Sequence, residues 1–171
     1  MKVRSALFAA AIAGFALLGG PSLAGDAGAS AGEGAARESG DCEGRPSATR
    51  LIVQVGHLKS NQGEVAVTLY PSDPRRFLAP RGKLLRVRAR AVTPMTQACF
   101  YLPKPGAYAV AVYHDANANR DFDRNSLGMP TEGYAFSNDA PTKFGVPSFD
   151  AVRFVVGPGD TTLRVTMRYT R

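Results

Sequence analysis

GAYAVAVYHDANANRDFDRNSLGMPTEGYAFSN, residues 106–138, joins an apolar strand pattern directly to the chain's densest run of carboxylate and amide oxygens. Across Ala107–His114, Tyr108, Val110 and Val112 alternate with alanines, the period-two signature of a strand. The small alanine side predicts that something packs closely against that face. Directly after it, Asp115, Asn117, Asn119, Asp121, Asp123 and Asn125 place an oxygen-bearing side chain at every second position. A strand feeding such a loop implies a β scaffold that presents the loop.

Working outward, the same period recurs. Leu51, Val53 and Val55 alternate with Ile52 and Gln54, and Val65, Val67 and Leu69 alternate after a turn at Asn61-Gln-Gly63. With a short glycine-containing connection, these two runs read as a hairpin. Leu85–Val92 is two-faced, with Leu85, Val87, Ala89 and Ala91 on one side and Arg86, Arg88 and Arg90 on the other. Thr96–Leu102 reads as a strand carrying Cys99, Ala151–Val156 as a short strand, and Gly157–Asp160 as a turn. Thr162–Thr170 closes the set, with Leu163, Val165, Met167 and Tyr169 facing inward. About seven strands separated by turn signals, with no helical period, predict an all-β antiparallel sandwich of the prealbumin or immunoglobulin-like sort. A small closed barrel is the alternative.

The amino terminus has a positive start at Lys2 and Arg4, an apolar run Ala6–Leu18 and small residues at Ser22 and Ala24. That order predicts a secretory signal over residues 1–24, cleaved near Ala24, with periplasmic or secreted localisation. Residues 25–48 are rich in Gly, Ala and Ser and read as a flexible leader; residues 49–171 read as one domain. No second apolar run approaches bilayer length. Removing the signal leaves 147 residues (171 − 24) and lowers the net charge from +7 to +5, since Lys2 and Arg4 go with it. The excess is mainly arginine, and the stripes on Leu85–Val92 and Thr162–Thr170 could together form one basic sheet face. Without interleaved aromatic stacking the stripes exclude nucleic acid as the expected partner. Cys42 and Cys99, an even count in an exported chain, predict a disulfide closing a loop of more than fifty residues. Two separate buried thiols are the alternative.

Alternate-residue oxygens let one loop curl around one hard cation, and calcium takes six to eight oxygens. Counted from Asp115, the loop follows the EF-hand order, except that position six is Arg120 and position twelve is Ser126. Its strand-like flanks exclude a helix–loop–helix unit. The expected ligand set is Asp115, Asn117, Asn119, Asp121, Asp123 and Glu132, with Ca2+ as cofactor. The competing reading is a metal-free turn in which Asx side chains cap backbone N–H groups. A hydrolase can be drawn from His114, Asp115 and Glu132, or a triad from His114, Asp115 and Ser137. Adjacent strand residues point to opposite faces, however, and no G-x-S-x-G elbow occurs. His114, Tyr134, Phe136 and Asn138 make a candidate binding surface, although Phe122, Tyr134 and Phe136 read first as anchors for the loop.

The segment from Gly106 to Asp115, with Asn117-x-Asn119, Asp123-x-Asn125, Leu127-Gly-Met-Pro130, Glu132-Gly-Tyr134 and Phe136-Ser-Asn138, resembles a family of exported bacterial proteins catalogued as a domain of unknown function. The resemblance covers roughly Thr49–Tyr169 and implies a periplasmic or secreted β-sandwich without an assigned activity. The family's loop usually has glycine where this chain has Arg120. The loop is also similar to the D-x-N-x-N-G-x-x-D pattern of prealbumin-like repeat domains in bacterial adhesins. That similarity implies calcium-ligand roles for Asp115, Asn117, Asn119 and Asp123. The expected function is a non-enzymatic binding or accessory module of the cell envelope, with an envelope or extracellular ligand.

Overall fold

The computed structural model describes residues 42–142 and 145–170; the expected signal and most of the leader lie outside them. Eight strands form two sheets. They are β1 (Thr49–Gly56), β2 (Glu64–Pro71), β3 (Leu85–Arg90), β4 (Met95–Tyr101), β5 (Gly106–Asp115), β6 (Gly133–Phe136), β7 (Phe154–Val156) and β8 (Gly159–Thr166). One sheet runs β4-β1-β8 and the other β3-β2-β5-β6, with β7 also pairing with β5. The architecture is a sandwich of three strands over five, not a closed barrel. A short helix α1 (Phe149–Val152) and a 3-10 turn (Ser137–Asp139) are the helical pieces among the described residues.

Alternation explains the core. Leu51, Val53 and Val55 of β1, Val65, Val67 and Leu69 of β2, and Val110 and Val112 of β5 are fully or almost fully buried between the sheets. β2 is buried on both faces because it is central and its outer face is covered. The alanine face of β5 is covered as well. Ala109 sits in a second cluster with Tyr70, Phe136, Ala140 and Val152, flanked by Phe77 and Phe149. The small side chains of that face let α1 and the 72–84 loop settle onto the sheet.

Four expectations change. β1 and β2 do not form a hairpin; β1 pairs with β4 and β8, while residues 57–63 cross to the other sheet and Leu58 packs in the core. Periodicity marks a strand but not its partner, and both runs bury one face equally well. β8 starts at Gly159, inside the expected turn, and runs parallel to β1, so the sandwich is not wholly antiparallel. The expected strand at Ala151–Val156 is α1 followed by β7, and Ser148 caps α1 by accepting the Ala151 N–H. The two arginine stripes belong to β3 and β8 in different sheets, so they do not form one basic face.

Cys42 and Cys99 form a disulfide across a separation of 57 residues. Glu43 adds a short parallel bridge to Phe100 on the outer edge of β4. The N-terminal segment thereby covers an edge that would otherwise present unpaired backbone groups.

Candidate functional site: the 115–132 loop

The registers fix where the loop emerges. Glu64 pairs with Asp115 and Ala66 with Tyr113, while Arg88 of β3 pairs with Ala66 on the other side. Arg88, Tyr113 and Asp115 therefore share the outer face of the five-stranded sheet. Arg88 Nη1 donates to Asp115 Oδ2 at 2.9 Å and to Glu64 Oε2 at 3.4 Å. Its Nη2 donates to Tyr113 Oη at 2.7 Å and to the Arg120 carbonyl at 2.8 Å. One guanidinium thus ties the last turn of β5 to the middle of the loop. A planar fork with several fixed donors suits such an anchor.

Asp115 is buried and organises the first circuit. Its Oδ1 accepts the Asn119 N–H at 3.0 Å and its Oδ2 the Arg120 N–H at 2.8 Å. Asn117 Oδ1 also accepts the Asn119 N–H, and Asn119 Oδ1 accepts the Asp121 N–H. These are Asx turns, in which short side chains replace the hydrogen bonds that a strand or helix would supply. Arg120, at the position where glycine was expected, has φ +70°. Gly63 faces the same corner: at φ +69°, a Cβ there would lie 1.9 Å from the Asp115 carbonyl oxygen. Only glycine lets the 57–63 loop approach this closely.

The second circuit closes on Asp123. Asn117 Nδ2 donates to its carboxylate at 2.8 Å and Asn119 Nδ2 at 3.0 Å. The Asp123 N–H donates to Glu132 Oε2 at 3.2 Å. Glu132 is buried, and its Oε1 is the one buried side-chain polar atom without a hydrogen-bond partner among the described residues. Burial pushes its carboxyl above the ordinary value, the charges of Asp115 and Asp123 push the same way, and the amides of Asp123 and Ala116 oppose them. Asn117 and Asn119 thus meet the Asp123 carboxylate, and Glu132 meets the Asp123 backbone N–H. Asp121 is exposed and joins through its backbone N–H. No three His, Cys, Asp or Glu side chains among the described residues gather as a metal-ligand group. A cation here would need asparagine and main-chain oxygens as well, which is the mixed donor set hard cations accept.

The remaining segment is a finger. Thr131 N–H donates to the Asp123 carbonyl, Arg124 bridges Pro130, and Asn125 N–H donates to the Met129 carbonyl. Asn125 Oδ1 accepts the Leu127 and Met129 N–H groups, both at 3.0 Å. Phe122 roots the loop between Tyr113 and Tyr134, with ring centroids 5.5 and 6.1 Å away. Tyr134 continues to Phe136, and Phe136 to Phe77.

His114 points the other way, into the interior. Its Nε2 donates to the Gln62 carbonyl at 2.8 Å, which leaves Nδ1 to accept from the Tyr169 hydroxyl at 2.8 Å. Both ring nitrogens are thus committed, Nδ1 tying β5 to the segment after β8 and Nε2 tying it to the 57–63 loop. Ser137 is fully buried, and its hydroxyl is engaged by Val110 and Val152. His114, Asp115 and Ser137 do not meet, so no nucleophile–base pair forms from them. Of the candidate binding surface, His114 and Phe136 are buried, Tyr134 is half-buried, and Asn138 is exposed with its amide donating to the Ala151 and Arg153 carbonyls. Sequence reasoning missed Arg88 and Glu64 as loop anchors. Arg88 lies 27 residues from Asp115 in sequence, so no local signal joins them.

Residues 53–164, well over half of the chain, match the family described as uncharacterized protein conserved in bacteria (DUF2141). The chain belongs to this family. The matched region holds the whole 115–132 loop, Arg88 and Glu64; Cys42 and Tyr169 lie outside it. No curated protein and no solved structure matches the chain.

Proposed function

We propose that the protein is an exported, non-enzymatic binding module of the cell envelope whose 115–132 loop takes up calcium. The observation that carries this is Glu132 Oε1, a buried carboxylate oxygen without a donor, next to the Asp123 and Asp115 charges. Leaving a buried acceptor unsatisfied costs about 1–3 kcal/mol, more for a charged group, and a cation would offset it. Asn117 and Asn119 now turn their amide nitrogens toward Asp123. A half-turn of each amide would offer an oxygen instead, giving Asp123, Glu132 and two amide oxygens, at the cost of the Asx-turn bonds that the same oxygens now accept from the Asn119 and Asp121 N–H groups. Export is supported by the signal-like N-terminus and by a disulfide, which persists in oxidising compartments. Among the described residues no helix is long and apolar enough to cross a membrane.

A metal-free, packed loop is the second reading. It is favoured by Asp115, whose two oxygens are already taken by Arg88 and two backbone amides. Calorimetric titration with CaCl2 and with MgCl2 separates the two readings. The calcium reading predicts saturable binding that prefers calcium and is lost in Asp123→Asn with the far-ultraviolet spectrum unchanged. No binding at millimolar calcium would establish the packed loop instead.

A further inference from the structure

The strand directions place three connections at one end of the sandwich. β1 ends at Gly56, which pairs with Met95 at the start of β4, and β5 ends at Asp115, which pairs with Glu64 at the start of β2. Loops 57–63, 91–94 and 116–132 therefore cluster, and the Thr93 N–H donates to Asn61 Oδ1 across two of them. Single exposed apolar side chains are ordinary on any protein. Here, however, four of the seven large apolar side chains exposed among the described residues lie at this end: Leu127 (85% exposed), Met129 (48%), Val92 (47%) and Met95 (45%). Leu127 is the most exposed of the four, in a turn that Asn125 fixes before any partner arrives. Such a tip loses little conformational freedom on burial, as a preformed binding element should.

Charge points to the occupant. Lys59, Arg90 and Arg124 are exposed around this end, and basic side chains beside an apolar tip suit an anionic lipid surface. Opposing them are the carboxylates of Asp123 and Glu132, which repel such a surface until a divalent cation neutralises the two of them.

We infer that this end of the sandwich is a calcium-gated docking surface for anionic phospholipid, with Leu127 and Met129 entering the headgroup layer. The inference rests on the calcium reading of the loop. A flat protein partner is the poorer fit, because two exposed apolar side chains on one tight turn enter a layer of small mobile molecules more readily than they cover a broad face.

The test is flotation of the purified exported form, residues 25–171, with vesicles of phosphatidylglycerol and phosphatidylcholine, or of phosphatidylcholine alone, in calcium and in EDTA. The inference predicts capture by the anionic vesicles in calcium, with about a hundredfold loss in affinity for L127S/M129S, since each buried side chain is worth about tenfold. The double variant alters no residue of the cation cluster, so its calcium titration without vesicles stays at the wild-type value. Calcium binding without vesicle capture overturns the lipid inference and leaves the calcium reading standing. Absence of calcium binding overturns both, and equal capture in EDTA and calcium overturns the gating. A calcium-dependent dimer in sedimentation, lost in L127S/M129S, would assign the surface to a second copy and overturn the lipid assignment.

Discussion

Arg88 shows how much of this loop depends on one side chain. It is about four-fifths buried, and Asp115, its closest ion-pair partner, is completely buried. Removing one member of such a pair leaves an uncompensated charge in the interior, which costs about 3–5 kcal/mol. R88A is therefore expected to lose that much in urea denaturation, and adding D115N should recover part of it. A surface pair would cost under about 1 kcal/mol, and that result would contradict the anchor. Glu132 is the residue with the opposite balance. Its raised carboxyl pKa means that the folded state binds more protons than the unfolded state above the ordinary value of about 4.5. Without metal, stability should fall as pH rises from that value through the folded one, and E132Q should remove this slope. Melts at stepped pH in EDTA measure it directly.

Among the elements, β5 carries the most joints, and its outer edge is shared. β6 pairs with Ala111–His114 and β7 with Gly106–Tyr108, so Val110 falls in the gap between them. Ser137 fills that gap: its Oγ accepts the Val110 N–H at 3.0 Å and its hydroxyl lies against the Val152 carbonyl. S137A should cost about 1–3 kcal/mol by stranding these buried groups, with faster exchange of the Val110 amide. An unchanged exchange rate would mean that the joint is not needed. The strands themselves were legible because alternation reports which face is buried, and the oxygen-rich loop was legible because its residue types are dense and local. Pairing was not. β1 and β2 share the same pattern, and the choice between hairpin and sheet-crossing lies in Leu58 entering the core and Gly63 meeting Asp115, neither of which has a sequence period. The Ala151–Val156 run misled for a related reason, since a four-residue helix capped by Ser148 is too short to show one.

At the scale of the whole molecule, the two sheets, the disulfide to the edge of β4 and the aromatic chain from Tyr113 to Phe77 form a frame that holds one end loop in a fixed shape. Natural folds leave few buried polar atoms unsatisfied, and such an exception calls for an explanation. Here the exception sits inside the loop that the frame presents. We propose that Glu132 is kept at a cost to the metal-free fold because it holds a cation. The most direct measurement compares thermal melts of wild type and E132Q at neutral pH in EDTA and in millimolar calcium. A change of sign is expected. E132Q should melt above wild type in EDTA, where the buried charge is a burden, and below it in calcium, where wild type gains RT ln(1 + [L]/Kd), about 2.7 kcal/mol at a hundredfold excess over Kd. The same ranking of the two proteins in both buffers, with no calcium shift in wild type, would contradict it.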